Sequence, residues 1–353
     1  MKSSPLKSTR ILVAYNDVPA FKPVDVDFIS EEAVVHQVEA VMSALGEIGC
    51  EAHTLPVNDL KQAFAAIDSF RPDVIVNLCE GFQGRSGLEM NVASLWELAG
   101  LSYTGNTPLA LGLAQNKILA KRLFESKRIP TPAYQVYRSA PESTYLEYPL
   151  IAKPSCEDAS LGIMYNALIH DFKELQRRVT RLLDKYKQPV LVEHYIDGRE
   201  FNISLLGNVS PRVLPIAEID FSGLQDGEER ITSYEAKWMP EHPLYEKTPS
   251  VCPAKMDDHL KARLEDLAIQ VFRLLIGRDY GRVDVRVDSQ NRIFVLEYNP
   301  NPDISADAGF AKAVKAAGLA YREFVELLIH QALKRKSNGS HQENDTGGQG
   351  TRL

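Results

Sequence analysis

The sequence predicts an α/β fold: an N-terminal domain built on a parallel sheet, followed by a longer region in which strands come in pairs. Three observations lead there. The first hundred residues alternate short apolar runs with helical segments, the rhythm of a parallel sheet wrapped by helices. The last third holds two strand-like runs, "GRVDVRV" and "RIFVLEYN", joined by the turn-forming "DSQN", which reads as a hairpin. A chain of 353 residues is long for one core, so two or three packed units are expected.

The elements follow in order. "ILVAY" (from Ile11) is a short buried strand, and "EEAVVHQVEAVMSALGEIG" (from Glu31) an amphipathic helix ending at Gly49. A second strand is expected over 52–57, a helix over 58–70, a third strand at "DVIVNL" (from Asp73) and a helix after Ser86. Ligands of such sheets sit beyond the carboxyl ends of the strands, which places Asn16, Asp17, Cys79 and Glu80 on the functional rim. One helix is expected over 109–127, stopped by Pro130 and Pro132, which open an extended segment. "YPLIAKPS" (from Tyr148) is a strand running into a loop, "DFKELQRRVTRLLDKY" (from Asp171) a helix and "PVLVEHYI" (from Pro189) a strand. "EFNISLLG" (from Glu200) and "RVLPIAEI" (from Arg212) are each read as one strand, followed by a polar stretch over 220–248. A long helix over 257–276 precedes the hairpin, and a closing helix pair runs to Leu333. The polar tail over 334–353 is expected to be disordered. No internal repeat is present.

The composition excludes several function classes. A net charge of −7 without clustered Lys and Arg argues against nucleic acid as a partner. No apolar run is long enough to span a membrane, so no membrane partner is expected. Residues 1–10 are polar and basic but lead into strand-like residues rather than a cleavable apolar segment, so a cytoplasmic protein is expected. Its four cysteines are far apart, with no metal-binding spacing, as suits free thiols in a reducing compartment.

Three segments carry chemistry. Strand alternation puts Arg282, Asp284 and Arg286 on one face, and Glu297 and Asn299 on one face of the next strand. Asp284, Glu297 and Asn299 can then converge as hard oxygen ligands, since magnesium on nucleotide phosphates asks for one or two carboxylates plus waters. An exposed hairpin with a charge ladder is the alternative. "IAKPSCEDASLGI" (from Ile151) delivers Lys153 into a small-residue loop of the kind that offers backbone N–H groups to phosphate, with lysine as a point charge. With Gly162 as its one glycine and Glu157 and Asp158 within it, an ordinary surface turn is the alternative. "VLVEHYIDGREFNISLLG" (from Val190) places Glu193 and Glu200 at the edges of two strands joined by Asp197-Gly198. It reads either as a hinge strand for a purine with an acid near the ribose, or as an exposed turn with two acids.

These segments, with "LSYTGNTPLALGLAQNKILAKRLF" (from Leu101), "SYEAKW" (from Ser233) and "CPA" (from Cys252), stand in the order and approximate spacing of the D-alanine–D-alanine ligase family of ATP-grasp enzymes. The sequence resembles that family over about 11–333. The resemblance implies an N-terminal α/β domain over 1–108 and an α+β ATP-grasp of two subdomains, central over 109–192 and C-terminal catalytic over 193–336, with 337–353 a disordered tail. ATP would lie between the two subdomains, with Mg2+ (Mn2+ as the alternative) as cofactor. By motif, Lys117 and Lys153 resemble the lysines on the nucleotide phosphates, and Ser160 belongs to the same nucleotide loop. Glu193 with the backbone at His194 and Tyr195 resembles the adenine hinge, and Glu200 the ribose acid. Asp284, Glu297 and Asn299 resemble the magnesium ligands, and Lys237 the lysine of a mobile loop. Arg282 resembles the arginine that stabilises a developing oxyanion. Glu31, or Glu32 if the alignment slips, is the nearest match to the acid that holds a substrate ammonium.

The implied reaction has two steps: the γ-phosphoryl of ATP moves to a substrate carboxylate, then an amine attacks the acyl phosphate. Closure of the 220–248 stretch would exclude water from the acyl phosphate. Departures cluster in the amino-acid pocket. Ala159 and Trp238 stand where the family has a serine and a tyrosine, Cys79-Glu80-Gly81 replaces His-Gly, Asp303 replaces a glycine and Ala308 a serine. The expected function is therefore an ATP-dependent carboxylate–amine ligase for small amino acids or peptides with a pocket altered from the D-alanine type, a homodimer being one option. An authentic D-alanine–D-alanine ligase and a non-catalytic nucleotide-binding protein of the same fold are the alternatives. Against the last stands the intact set Lys153, Arg282, Asp284, Glu297 and Asn299.

Overall fold

The computed structural model describes residues 6–16, 28–157, 162–239 and 241–342. Strands β1 (Arg10–Tyr15), β2 (Glu51–Pro56) and β3 (Val74–Asn77) form a parallel sheet of order β2-β1-β3. Both faces are covered, and alternation along β1 divides its side chains between them. Ile11 and Val13 pack with Val38, Val41 and Leu45 of α1 (Phe28–Ile48). Leu12 and Ala14 pack with Ile67 of α2 (Leu60–Phe70) and Val92 and Trp96 of α3 (Glu89–Leu98), which follows a 3-10 turn at Ser86–Leu88.

The single helix expected over 109–127 is two: α4 (Pro108–Gln115) and α5 (Lys117–Ser126). Asn116 breaks it. Its backbone leaves helical geometry at ψ 89, and its side-chain oxygen caps α5 by accepting from the amide of Leu119. Asparagine competes with the helix by bonding local backbone, which favours caps over interiors. The break leaves the Lys117 amide free to bond the carbonyl of Ser155 at 2.9 Å, tying the start of α5 to the loop after β5 (Leu150–Pro154).

A second sheet, order β4-β6-β5, is antiparallel, with β4 (Tyr134–Tyr137) and β6 (Val190–His194). Leu175, Val179 and Leu182 of α6 (Phe172–Tyr186) cover the face made by Leu150, Ala152, Val190 and Val192. Ile151, Lys153, Leu191 and Glu193 alternate onto the other face.

The third sheet has order β10-β9-β7-β11-β12, with β8 beside β7. Its strands are β7 (Arg199–Leu206), β8 (Arg212–Val213), β9 (Ala217–Ile219), β10 (Ser250–Val251), β11 (Tyr280–Val287) and β12 (Ile293–Asn299). The strand expected from Arg212 is thus two short ones, split around Leu214, Pro215 and Ile216; proline has no N–H to give to a ladder. Helix α9 (Asp258–Leu274), capped by Asp257, packs Leu264, Ala268 and Val271 against Phe201, Ile203, Val283, Val285 and Val295. The polar stretch contains α7 (Tyr234–Trp238) and α8 (Pro243–Lys247).

The end of the chain packs against its beginning. Helices α10 (Gly309–Ala316) and α11 (Tyr321–Gln342) bury Phe310, Val314, Phe324 and Leu328 in the same core as β1 and α1, so the closing pair returns to the N-terminal sheet. Helix α11 runs to Gln342, past Leu333, where the closing pair is expected to end. Propagation of a packed helix costs little per residue, and polar Lys and Arg are good helix formers. Residues 343–353 lie outside the described residues.

Candidate active site

The faces of the two antiparallel sheets that α6 and α9 do not cover carry the candidate residues, and a bulge decides which of them meet. From the turn, β11 and β12 pair Val287 with Ile293 and Val285 with Val295. Continued without interruption, that register would set Glu297 opposite Val283, on the α9 side. The register instead shifts between Asp284 and Val285, so Asp284 faces Glu297 and Arg282 faces Asn299. One inserted residue turns both β12 side chains onto the face of Asp284.

Asp284 is enclosed by donors. Arg282 gives Nε and Nη2 to its two oxygens (2.7 and 2.8 Å), Asn202 gives Nδ2 at 2.8 Å and Asn299 gives Nδ2 at 2.9 Å. Four N–H groups fill the four lone-pair positions of a carboxylate. Glu297 takes Lys117 Nζ at 3.0 Å. Burial alone would raise the Glu297 pKa, but Lys117, Lys153 and Arg282 outweigh it and hold the carboxyl well below the usual range. Burial and the fields of Asp284, Glu297 and Asp303 act on Arg282, the carboxylates prevailing to hold it firmly cationic. Lys237, on α7, faces the same group: burial and then Arg282 push its pKa down, against Glu297, Asp284 and Asp303.

The set suits magnesium by its chemistry. Two directly opposed carboxylates and the amide oxygen of Asn299 are hard donors, and the neighbouring lysines and arginine match a polyphosphate. Because Asp284 is saturated, an ion held there would have to displace one of its present donors. Among the described residues, no group of three or more His, Cys, Asp or Glu is placed to hold a metal, so the candidate set is two acids and an amide.

Glu193 is 1% exposed, not at an exposed turn. It takes Lys153 Nζ at 2.6 Å and is also paired with Lys121. Burial would raise its pKa; Lys121 and Lys153 lower it further than burial raises it. Lys121 was absent from the sequence expectations, although it stands one helical turn after Lys117 on α5, where i and i+4 share a face. It is 1% exposed and donates to Thr131 Oγ1 at 2.5 Å, and Thr131 in turn donates to the carbonyl of Val295. Lys121 thereby links β6 to β12.

The hinge backbone at His194 and Tyr195 is held within the sheet. The amides of His194 and Tyr195 are spent on the carbonyls of Ala133 and Pro149 (2.8 and 2.9 Å), because β6 lies between β4 and β5. Neither amide is left to donate to a ligand; the carbonyl of Ile196, next along, accepts from Arg286. Glu200 is buried and paired with Arg286 at 2.7 Å. A cavity of about 1500 Å³ opens beside the hinge, lined by His194, Tyr195, Ile196, Gly162 and Phe221. Asp284 and Glu297 do not line it; their own ion pairs cover them.

The rim beyond β1 and β3 carries a second polar group. Glu80 is exposed; its amide donates to Asn16 Oδ1 (2.7 Å) and its carboxylate accepts from Gln37 Nε2 (2.9 Å). Asn301, just past β12, donates to Glu89 Oε1 and to the carbonyl of Cys79, and accepts from the hydroxyl of Tyr280. Asp303 accepts from the amide and hydroxyl of Ser305. Cys79 itself is fully buried in the core with Val92 and Trp96, so its thiol does not face the rim as expected; burial, then Glu89 and Glu80, push it up. The side chain of Glu31, and Asp17, Asp158, Ala159 and Ser160, lie outside the described residues.

A parallel sheet followed by two antiparallel sheets whose facing sides share lysines, an arginine and paired carboxylates is the arrangement of the ATP-grasp ligases. The D-ala D-ala ligase C-terminus family matches residues 122–330. A D-alanine–D-alanine ligase of Bordetella petrii is 31% identical over 301 residues, covering 83% of this chain and 86% of the relative. A Sinorhizobium fredii protein known as the uncharacterized y4sG is 35% identical over 306 residues, covering 84% and 87%. The crystal structure of the Bacillus anthracis D-alanine–D-alanine ligase complexed with ATP superposes with a TM-score of 0.74 at 19% identity, covering 94% of this chain and all of that one. The chain belongs to the D-alanine–D-alanine ligase family, and it is an ATP-dependent ligase that forms an amide bond.

Proposed function

We propose that this ligase joins small amino-acid or peptide substrates other than two D-alanines, through an acyl phosphate. The observation that carries the altered pocket is Glu80: an exposed carboxylate anchored from both ends, by Asn16 at its backbone and Gln37 at its side chain. With Glu89 and Asp303 nearby in the fold, it favours a substrate bearing an additional ammonium. Trp238 and Ala308 supply no hydroxyl, and a site that loses hydrogen-bonding partners changes its substrate.

In this reading Lys117, Lys153 and Lys237 take the nucleotide phosphates, Glu193 with the backbone at His194 and Tyr195 the base, and Glu200 the ribose. Asp284, Glu297 and Asn299 hold magnesium, which when bound neutralises charge on the transferring phosphoryl group. Arg282, once released from Asp284, stabilises the oxyanion formed when the amine attacks. Residues 1–108, 109–192 and 193–336 are its three units. No helix among the described residues is long and apolar enough to cross a membrane, and we place the enzyme in the cytoplasm.

D-alanine dimerisation is the second reading, favoured by the name of the Bordetella petrii relative. Phosphate release from ATP across a panel of D- and L-amino acids and dipeptides separates the two. Calorimetry with a non-hydrolysable ATP analogue, with and without magnesium, tests the nucleotide site: binding is expected between the two antiparallel sheets, strengthened by the metal, and no binding would sink the assignment of its residues.

A further inference from the structure

Arg286 is 3% exposed, stands two residues past Asp284 on β11 and pairs in register with Glu200 on β7. Its Nε and Nη2 both donate to Glu200 Oε2, at 3.0 and 2.7 Å. Nη1 donates to the hydroxyl of Tyr195 and to the carbonyl of Ile196, both at 3.2 Å, and Nη2 also reaches the carbonyl of Arg230. The guanidinium carbon lies 5.2 Å from the ring centres of both Tyr195 and Phe221. One side chain thus touches the end of β6, the acid on β7 and the segment over 221–230.

We infer that Arg286 is a positioning residue that fixes Glu200 to receive a single sugar hydroxyl, and so sets the enzyme's choice between ribose and deoxyribose nucleotides. The inference rests on the reading of Glu200 as the ribose acid. A carboxylate has four lone-pair positions. Arg286 fills both on Oε2, and Thr232 Oγ1 fills one on Oε1 at 3.0 Å. Among the described residues one position on Oε1 remains, enough for one hydroxyl. The fork geometry of arginine, with two aromatic rings within 5.2 Å of its carbon, holds that position in place in a way a lysine's point charge cannot.

The test is binding of ATP, 2′-deoxy-ATP and 3′-deoxy-ATP to the magnesium-loaded protein by calorimetry. In the wild-type protein one deoxy analogue should bind about ten-fold or more weakly than ATP, as expected for a lost bond to a charged group, and the other about as well as ATP. In Arg286→Met that discrimination should fall to within about two-fold, and Arg286→Lys should retain only part of it. Thermal melts show which variants fold, and Arg286→Lys carries the test should Arg286→Met not fold. A folded Arg286 variant that keeps the full wild-type ratio overturns the inference, because a purely structural residue would shift the melting temperature and leave the ratio alone. Equal loss for both deoxy analogues in the wild type also overturns it. If the wild-type protein binds no ATP, the nucleotide reading itself falls, and this inference with it.

Discussion

Lys117, at the first turn of α5, and Glu297, on β12, meet at 3.0 Å across the face that the β-bulge turns toward the central sheet. The pair keeps Glu297 ionised in a partly buried place. Replacing Glu297 or Asn299 by alanine should abolish ATP-dependent phosphate release while the protein still melts cooperatively, since neither side chain belongs to a core. If a variant instead unfolds, with activity per folded molecule unchanged, the hairpin face is structural.

Lys121→Met tests the buried link between the two sheets. It removes one of two cations from a carboxylate that is 1% exposed, and breaking such a pair should cost about 3 kcal/mol, the lower end of the usual cost because Lys153 remains. Urea denaturation measures it. ATP affinity should fall as well, since Thr131 loses its donor and Glu193 one of its two partners. A variant as stable as the wild type would mean that Lys153 alone suffices.

Acid stability should report both depressed carboxylates. Glu193 is lowered by Lys121 and Lys153 and Glu297 by Lys117, Lys153 and Arg282, each against burial. Their folded pKa values lie below the ordinary 4.5, so the native state binds fewer protons than the unfolded chain. The stability they contribute is fully present above pH 4.5 and is lost as the pH falls through the depressed values. Denaturation midpoints followed from neutral pH downward should drop below that point, and the drop should be shallower in Glu193→Gln. An unchanged slope would show that other carboxylates govern the acid limb.

D-alanine alone, with ATP, should be a poor substrate pair. Each bond to a charged substrate group lost in a dry site costs about 1.5–3 kcal/mol. Two such losses, where Trp238 and Ala308 stand in place of hydroxyl-bearing residues, lower kcat/KM by roughly two to four orders of magnitude. Steady-state kinetics against a panel of amino acids and dipeptides decide it. Efficient D-alanine dimerisation with no better pair found would return the enzyme to the plain D-alanine type. Glu80→Gln offers a second handle: it should weaken a substrate with an extra ammonium and spare one without.

Periodicity in the sequence by itself determined the kinds of element and their order, because apolar alternation and helical spacing are local properties. The parallel N-terminal sheet, the hairpin of β11 and β12 and most of the candidate residues were legible in that way. What faces what was not. The shift between Asp284 and Val285 leaves no mark in a pattern of alternating residues, yet it alone sets Glu297 and Asn299 beside Asp284 rather than against α9. Asn116 is one polar residue inside a long helical pattern, and only its side chain's bond to the Leu119 amide makes it the cap of a second helix. Lys121 is silent in sequence because a lysine reads as surface; only the approach of β6 and β12 buries it and makes it a partner of Glu193. Cys79, placed on the rim by strand order, turns into the core because its neighbours there are Val92 and Trp96. Local chemistry selects elements, whereas ion pairs, registers and burial are settled by segments far apart in the chain, and only their packing brings those segments together.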